Sequence, residues 1–177
     1  MDYSEGMCYN HAEMNGGIRV MTRKKNASAF DSALKYLTPK ARTVREVENY
    51  LDDMNYSEIE VLNTIGRLEA ANLLNDRKYA EDFVESRLNT KPVSRAKLCS
   101  QLREHFVPDE IINSVIEMVD DVVEEANAFA VAEKFYRQFE KLNSEERLRR
   151  VTLRLQSRGY NYDCIKKCIG RLSDANE

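Results

Sequence analysis

The 177-residue chain has no tryptophan, six glycines, three prolines and two histidines. Each shortage removes a class of function. There is no G-x-G-x-x-G and no G-x-x-x-x-G-K-[ST], so no loop is built to bring backbone amides onto a nucleotide's phosphates. H-E-x-x-H and G-x-S-x-G are absent too. His11 stands in an aperiodic stretch and His105 at a helix end beside Glu104. With no second ligand or nucleophile at a useful spacing, each reads as a surface histidine. No run approaches the ~18 apolar residues of a membrane span. The opening MDYSEGMCYN lacks the basic start and apolar core of a secretory signal. Cys8, Cys99, Cys164 and Cys168 form no C-x-x-C and read as reduced, partly buried thiols of a cytoplasmic protein. The acidic pairs Asp52-Asp53, Asp120-Asp121 and Glu124-Glu125 point about 100° apart on a helix, which suits solvated faces rather than a metal or acid–base pair. The expectation is a non-enzyme with no catalytic residue, no metal and no cofactor.

What the chain has instead is helical periodicity. Residues 1–26 lack it and are expected to be a mobile tail. Met21 begins MTRKKN, which has the look of a natural start of translation, so residues 1–20 read as an upstream extension. From Ala27 the apolar residues recur at helical spacing. Ala29, Phe30, Ala33, Leu34 and Leu37 form one face, ended by Thr38-Pro39. Val44, Val47 and Leu51 form a second, with Asn55 as a left-handed stop. Ser57-Glu58-Ile59-Glu60 has the form of a capping box and opens a third helix carrying Ile59, Leu62, Ile65 and Gly66, followed by Leu68 and Ala70.

The pattern then returns. Asp76 can cap a helix with Tyr79, Ala80, Phe83, Val84 and Leu88; Leu98 and Leu102 line the next; Ile111, Ile112, Val115, Ile116 and Val119 bury a third that opens at Pro108. A third round begins near Val122 with Ala126, Phe129, Ala130, Phe135 and Tyr136. It continues through Leu148, Val151 and Leu155 to a stop at Gly159, then restarts at Asn161 with Ile165, Cys168, Ile169 and Leu172. Leu51, Leu102 and Leu155 fall in register. The stop position holds Asn55, Phe106 and Gly159, and Tyr56, Val107 and Tyr160 follow it. The spacing predicts an all-α fold of three tandem three-helix repeats, 27–73, 74–121 and 122–172, followed by a tail at 173–177. Stacked neighbours would form an elongated, curved, right-handed or solenoid-like array.

Charge is polarised along this array. Glu104 to Glu133 holds nine acidic residues and no Lys or Arg, whereas Lys134 to Arg171 holds eleven Lys/Arg and four Asp/Glu. The net charge of −3 argues against a protein that grips bare nucleic acid over its whole surface. Arg147, Arg150, Arg154 and Arg158 are spaced three, four and four apart, so they form one stripe beside the apolar face. Guanidinium groups there can meet carboxylate or phosphate bidentately, or their stems can simply cover the core edge. Lys166, Lys167 and Arg171 extend the basic end. Arg87, Arg95 and Arg103 in the middle repeat are weaker versions of the same idea.

Two stretches carry a family resemblance. Leu73-Leu74-Asn75-Asp76-Arg77-Lys78-Tyr79-Ala80-Glu81-Asp82-Phe83-Val84-Glu85-Ser86-Arg87 resembles the signature stretch of the RecX regulatory proteins. Leu-x-x-Arg-Gly-Tyr, here Leu155 to Tyr160, resembles that family's third-repeat turn. The chain departs from the pattern at Asn75, where an aspartate is usual, at Asn89-Thr90-Lys91-Pro92, which replaces a glycine-containing turn, and at Phe106, which replaces a glycine. The resemblance implies a modulator of the RecA recombinase that binds the RecA–single-stranded DNA filament, lodges in its groove and inhibits strand exchange, ATP turnover and coprotease activity. It implies roles in DNA repair, recombination and the SOS response, a cytoplasmic monomer, and no membrane partner. Two readings stay open beside it: a helical protein that binds nucleic acid directly, and a helical scaffold for protein partners alone.

Overall fold

The computed structural model describes residues 27–174. The expected tail and translation start at 1–26, with Cys8 and His11, lie outside the described residues, as do 175–177. Among the described residues there are nine α-helices and no strand. The first unit holds α1 (Ala29–Leu37), α2 (Val44–Asp53) and α3 (Glu58–Ala70). The second holds α4 (Asp76–Thr90), α5 (Arg95–Glu104) and α6 (Asp109–Ile116). The third holds α7 (Asp121–Gln138), α8 (Ser144–Ser157) and α9 (Tyr162–Asp174), which runs on past Leu172.

The helices start where a short polar side chain can take up an unsatisfied amide. Ser28, Thr43, Ser57, Asn75, Ser94, Asp120 and Asn143 each accept a hydrogen bond from the backbone N–H three residues on. At Thr43 and Ser57 the partner glutamates Glu46 and Glu60 close full capping boxes. The cap of α4 is Asn75, not Asp76; Asp76 is instead the first helical residue and bonds outside its own helix.

The second helix of every unit stops in the same way. Asn55, Phe106 and Gly159 have φ of 57°, 59° and 84°. The next amide, of Tyr56, Val107 or Tyr160, reaches back to the carbonyl of Leu51, Leu102 or Leu155. That is the Schellman arrangement, with its apolar contact supplied by the same pairs, all buried. Leu51, Leu102 and Leu155 have no exposed surface, so the register predicted from their spacing is the register of the fold.

Two faces differ from expectation. On α3 the buried residues are Val61, Thr64, Ile65 and Leu68. Ile59 and Leu62 are 73% and 72% exposed. Both sets have helical spacing, and the core selects the one that lies against α1 and α2. On α7 the buried set is Ala128, Val131, Ala132 and Tyr136, while Ala126 and Ala130 face outward. Alanine is a good helix former on any face, so it is a poor marker of the inner one.

Among the described residues each unit has its own apolar cluster, and Leu74, at the start of the second range, packs into that of the first. The units meet through polar helix ends. At the first joint the Thr43 hydroxyl donates to the His105 carbonyl (2.7 Å) and the Val44 amide to Asp76 Oδ1 (2.8 Å). At the second the Ser94 amide donates to the Arg158 carbonyl (3.0 Å) and the Arg95 amide to Glu124 Oε1 (2.9 Å). In both, the start of one unit's second helix meets the end of the next unit's second helix. Thr43 and Ser94 are buried for this reason.

Candidate functional site

The arginine stripe lies where α8 packs beside α7, and its four members do different things. Arg147 donates Nε and Nη2 to the Tyr136 carbonyl (3.2 and 2.9 Å), and its guanidinium lies 3.6 Å from the Tyr136 ring centroid. It ties the two helices together. Arg158 donates to the Pro92 carbonyl, and its own carbonyl receives the Ser94 amide, so it closes the second joint. Arg150 and Arg154 are exposed; their guanidinium groups lie 5.8 Å from the Phe139 ring and 5.4 Å from the Phe135 ring. The spacing therefore placed four arginines on one side, and the structure leaves two of them with their charge outward.

Arg149 joins those two. With Arg150, Leu153, Arg154, Ser157 and Phe139 it lines a shallow depression of about 260 Å³. Leu153 is 51% exposed. Three guanidinium groups thus surround an apolar spot. Sequence reasoning missed Arg149 because it falls about 100° from Arg150 around the helix, off the chosen stripe. Glu146 accepts from Arg149 Nε (2.8 Å) and Nη2 (3.0 Å) and from Arg150 Nε (2.8 Å). Those hydrogen bonds, that of Arg149 first, hold its carboxyl down to about 2. The carboxylate pins two guanidinium groups side by side and still leaves excess positive charge.

The other basic candidates scatter. Lys166, Lys167 and Arg171 line a groove on α9 with Cys164, Cys168 and Glu125. There Lys167 pairs with Glu125, and Arg171 covers the Phe129 ring at 3.7 Å. Arg95 is committed to the second joint, where it bonds Glu124, Asp121 and the Val119 carbonyl. The pairs around Asp121 and Glu124 are therefore not simply solvated. Arg103 pairs with Asp109 (2.8 Å). Arg87 lies over Phe83 at 5.0 Å. His105 is not a free surface histidine either: its Nδ1 lies 2.9 Å from Glu46 Oε1, and its ring meets Tyr79 and Phe83 edge-on.

Cys164 and Cys168 are buried free thiols, and burial raises both, Cys168 to about 12. They are inert packing residues. Among the described residues no three histidine, cysteine or carboxylate groups gather as a metal would require, and no helix is long and apolar enough to cross a membrane.

Known proteins share this arrangement. Three family profiles match in order, the first, second and third three-helix domains of RecX, at residues 29–68, 75–116 and 123–169. The chain is 32% identical over 146 residues to the regulatory protein RecX of Clostridium perfringens strain SM101, covering 81% of this chain and 68% of the relative. It is 26% identical over 152 residues to that of Prosthecochloris aestuarii, covering 86% and 98%. The crystal structure of RecX from Lactobacillus salivarius superposes with a TM-score of 0.70 at 25% identity, over 82% of this chain and 94% of that one. Helix count, the shared stop in each unit and these matches lead to one assignment: the chain belongs to the RecX family of regulatory proteins.

Proposed function

We propose that this chain is a non-enzymatic cytoplasmic regulator that binds the RecA–single-stranded DNA filament and inhibits the recombinase in DNA repair, recombination and the SOS response. The observation that carries the reading, within a RecX family chain, is the trio Arg149, Arg150 and Arg154 around exposed Leu153. Guanidinium groups suit phosphate and carboxylate alike, and an apolar centre with a charged rim is the anatomy of a contact between macromolecules. Lys166, Lys167 and Arg171 extend the basic surface of the same unit. The acidic middle of the chain would face basic recombinase surface.

The test is inhibition of RecA's DNA-dependent ATP turnover by the native chain and by a variant with Arg149, Arg150 and Arg154 all changed to Gln. The variant should inhibit at least tenfold less well, and its binding should depend less steeply on salt. Its melting temperature should stay close to native, because exposed charges contribute about 0–1 kcal/mol each. Undiminished inhibition would remove this face from the contact.

A further inference from the structure

A second concave site, sharing no residue with the α8 depression, lies where the first two units meet. The Lys40-Ala41 turn of the first unit, the outer side of α4 and the end of α5 enclose a pocket of about 340 Å³. Its wall is aromatic. Tyr79 and Phe83 stack with centroids 6.2 Å apart, and the His105 ring stands edge-on to each at 5.7 Å. Its rim is cationic. Lys40 and Arg87 line it, and neither has a carboxylate partner within ion-pair distance among the described residues. The lining carboxylate, Asp82, is paired with Lys78.

The combination narrows the ligand. An apolar ligand would use the rings and gain nothing from the two cations. A free phosphate would use the cations and leave the rings idle. A nucleotide of a single strand uses both, since every base has a face to stack and carries a phosphate within reach. The volume lies at the small end of ligand sites, which suits one residue of a strand rather than several. His105 is held by Glu46 and by the edge-on contacts, so the wall is formed in advance. We infer that this pocket takes one unstacked base of single-stranded DNA, its ring against Phe83 in place of the Arg87 guanidinium that lies 5.0 Å over that ring, and its phosphate on Lys40 and the displaced Arg87. The inference rests on the reading above that the chain works on single-stranded DNA within a filament, and it adds a site separate from α8.

The native chain has no tryptophan, so a Phe83→Trp variant reports from the pocket alone. Titrated with an oligodeoxythymidylate, its emission should be quenched as the strand binds. Phe83→Leu should weaken binding of the labelled oligonucleotide by about 5- to 150-fold, the loss expected for one stacked base, without changing the salt slope. Lys40→Gln with Arg87→Gln should make that slope shallower by about 0.7, the value for the one phosphate the two cations share. Circular dichroism confirms that the variants fold, and the two-cation variant leaves the aromatic wall intact. Unquenched emission while anisotropy shows the strand bound would overturn the inference. So would native DNA affinity in Phe83→Leu. Native DNA affinity with lost filament inhibition would assign the pocket to a side chain of a protein partner instead. A failure of the regulatory reading shows separately, as a native chain that leaves RecA's ATP turnover unchanged.

Discussion

At the first joint the Thr43 hydroxyl meets the His105 carbonyl; at the second the Ser94 amide meets the Arg158 carbonyl. The first joint adds a carboxylate from α4 on the Val44 amide, and the second adds one from α7 on the Arg95 amide. The repeat therefore preserves a frame of backbone groups and helix ends. The side chains that close the frame differ. Around the second joint Arg95 bonds Glu124 and Asp121, and Arg158 bonds the Pro92 carbonyl. Guanidinium groups stay charged at every working pH. Around the first joint Asp76 and Glu46 are half-buried, balanced by Arg42 at 3.9 Å from Glu46 and by the His105 imidazole. An imidazole is not a permanent charge. One frame thus gives a joint locked by arginine and a joint with surplus carboxylate, and the proposed nucleotide pocket opens beside the second kind.

The largest perturbation removes the helix that both joints share. α5 begins at the Ser94 contact and ends at the His105 contact, and Leu102 anchors it in the middle core. Leu102→Ala should cost ~2–5 kcal/mol in denaturant melts, the range for a fully buried leucine. Both joints should loosen together, seen as faster amide exchange at Val44 and Arg95. A loss below ~0.5 kcal/mol would mean that the three units do not share this register.

A smaller perturbation separates the joints. Gly159 has φ of 84°, and a Cβ added there would sit 2.7 Å from Ser94 Oγ and 3.0 Å from Lys97 Cβ. Gly159→Ala should therefore cost about 1–2 kcal/mol for the left-handed backbone and about 1 kcal/mol more if the Ser94 cap is displaced. Phe106 occupies the same stop at the first joint, at φ 59° and 53% exposed. There the relation reverses. Phe106→Gly should leave stability level or raise it by up to about 1 kcal/mol, as relief of backbone strain exceeds the extra freedom of glycine in the unfolded chain. Equal costs at the two positions would show that the second joint is no tighter than the first.

What could be read from the sequence divides along physical lines. Leu51, Leu102 and Leu155, with Asn55, Phe106 and Gly159 after them, were legible because a buried leucine followed by a left-handed stop is a local pattern. Thr43 and Ser94 were not. A hydroxyl is ordinarily a surface group, and only contact with a unit about sixty residues away buries these two. The faces of α3 and α7 were ambiguous because two apolar spacings overlapped in each. The arginine stripe was legible as a side of α8. Its division into tethering and outward members was not, since the Tyr136 and Pro92 carbonyls that capture Arg147 and Arg158 come from elsewhere in the chain.

The smallest expected effect tests whether the first joint carries surplus carboxylate. Burial raises the Asp76 carboxyl above its ordinary value, the Val44 amide opposes that, and Glu69, Glu48 and Glu46 add to the rise. A carboxyl raised in the folded state binds its proton more tightly there than in the unfolded chain. Its contribution is fully present below the unfolded value and is lost as pH climbs through the folded one. At neutral pH the charged Asp76 therefore strains the joint slightly. Asp76→Asn keeps an oxygen to accept from the Val44 amide and removes the charge. It should raise the neutral-pH melting midpoint modestly, by an amount below about 1 kcal/mol. The gap between variant and native should narrow as pH falls through the raised folded value, where native Asp76 takes up its proton, and close near the ordinary carboxylate value. Glu124→Gln at the second joint should move the other way, because it strips Arg95 of its main partner. If Asp76→Asn instead melted lower at neutral pH, the charged hydrogen bond to Val44 would outweigh burial, and the two joints would be electrostatically alike.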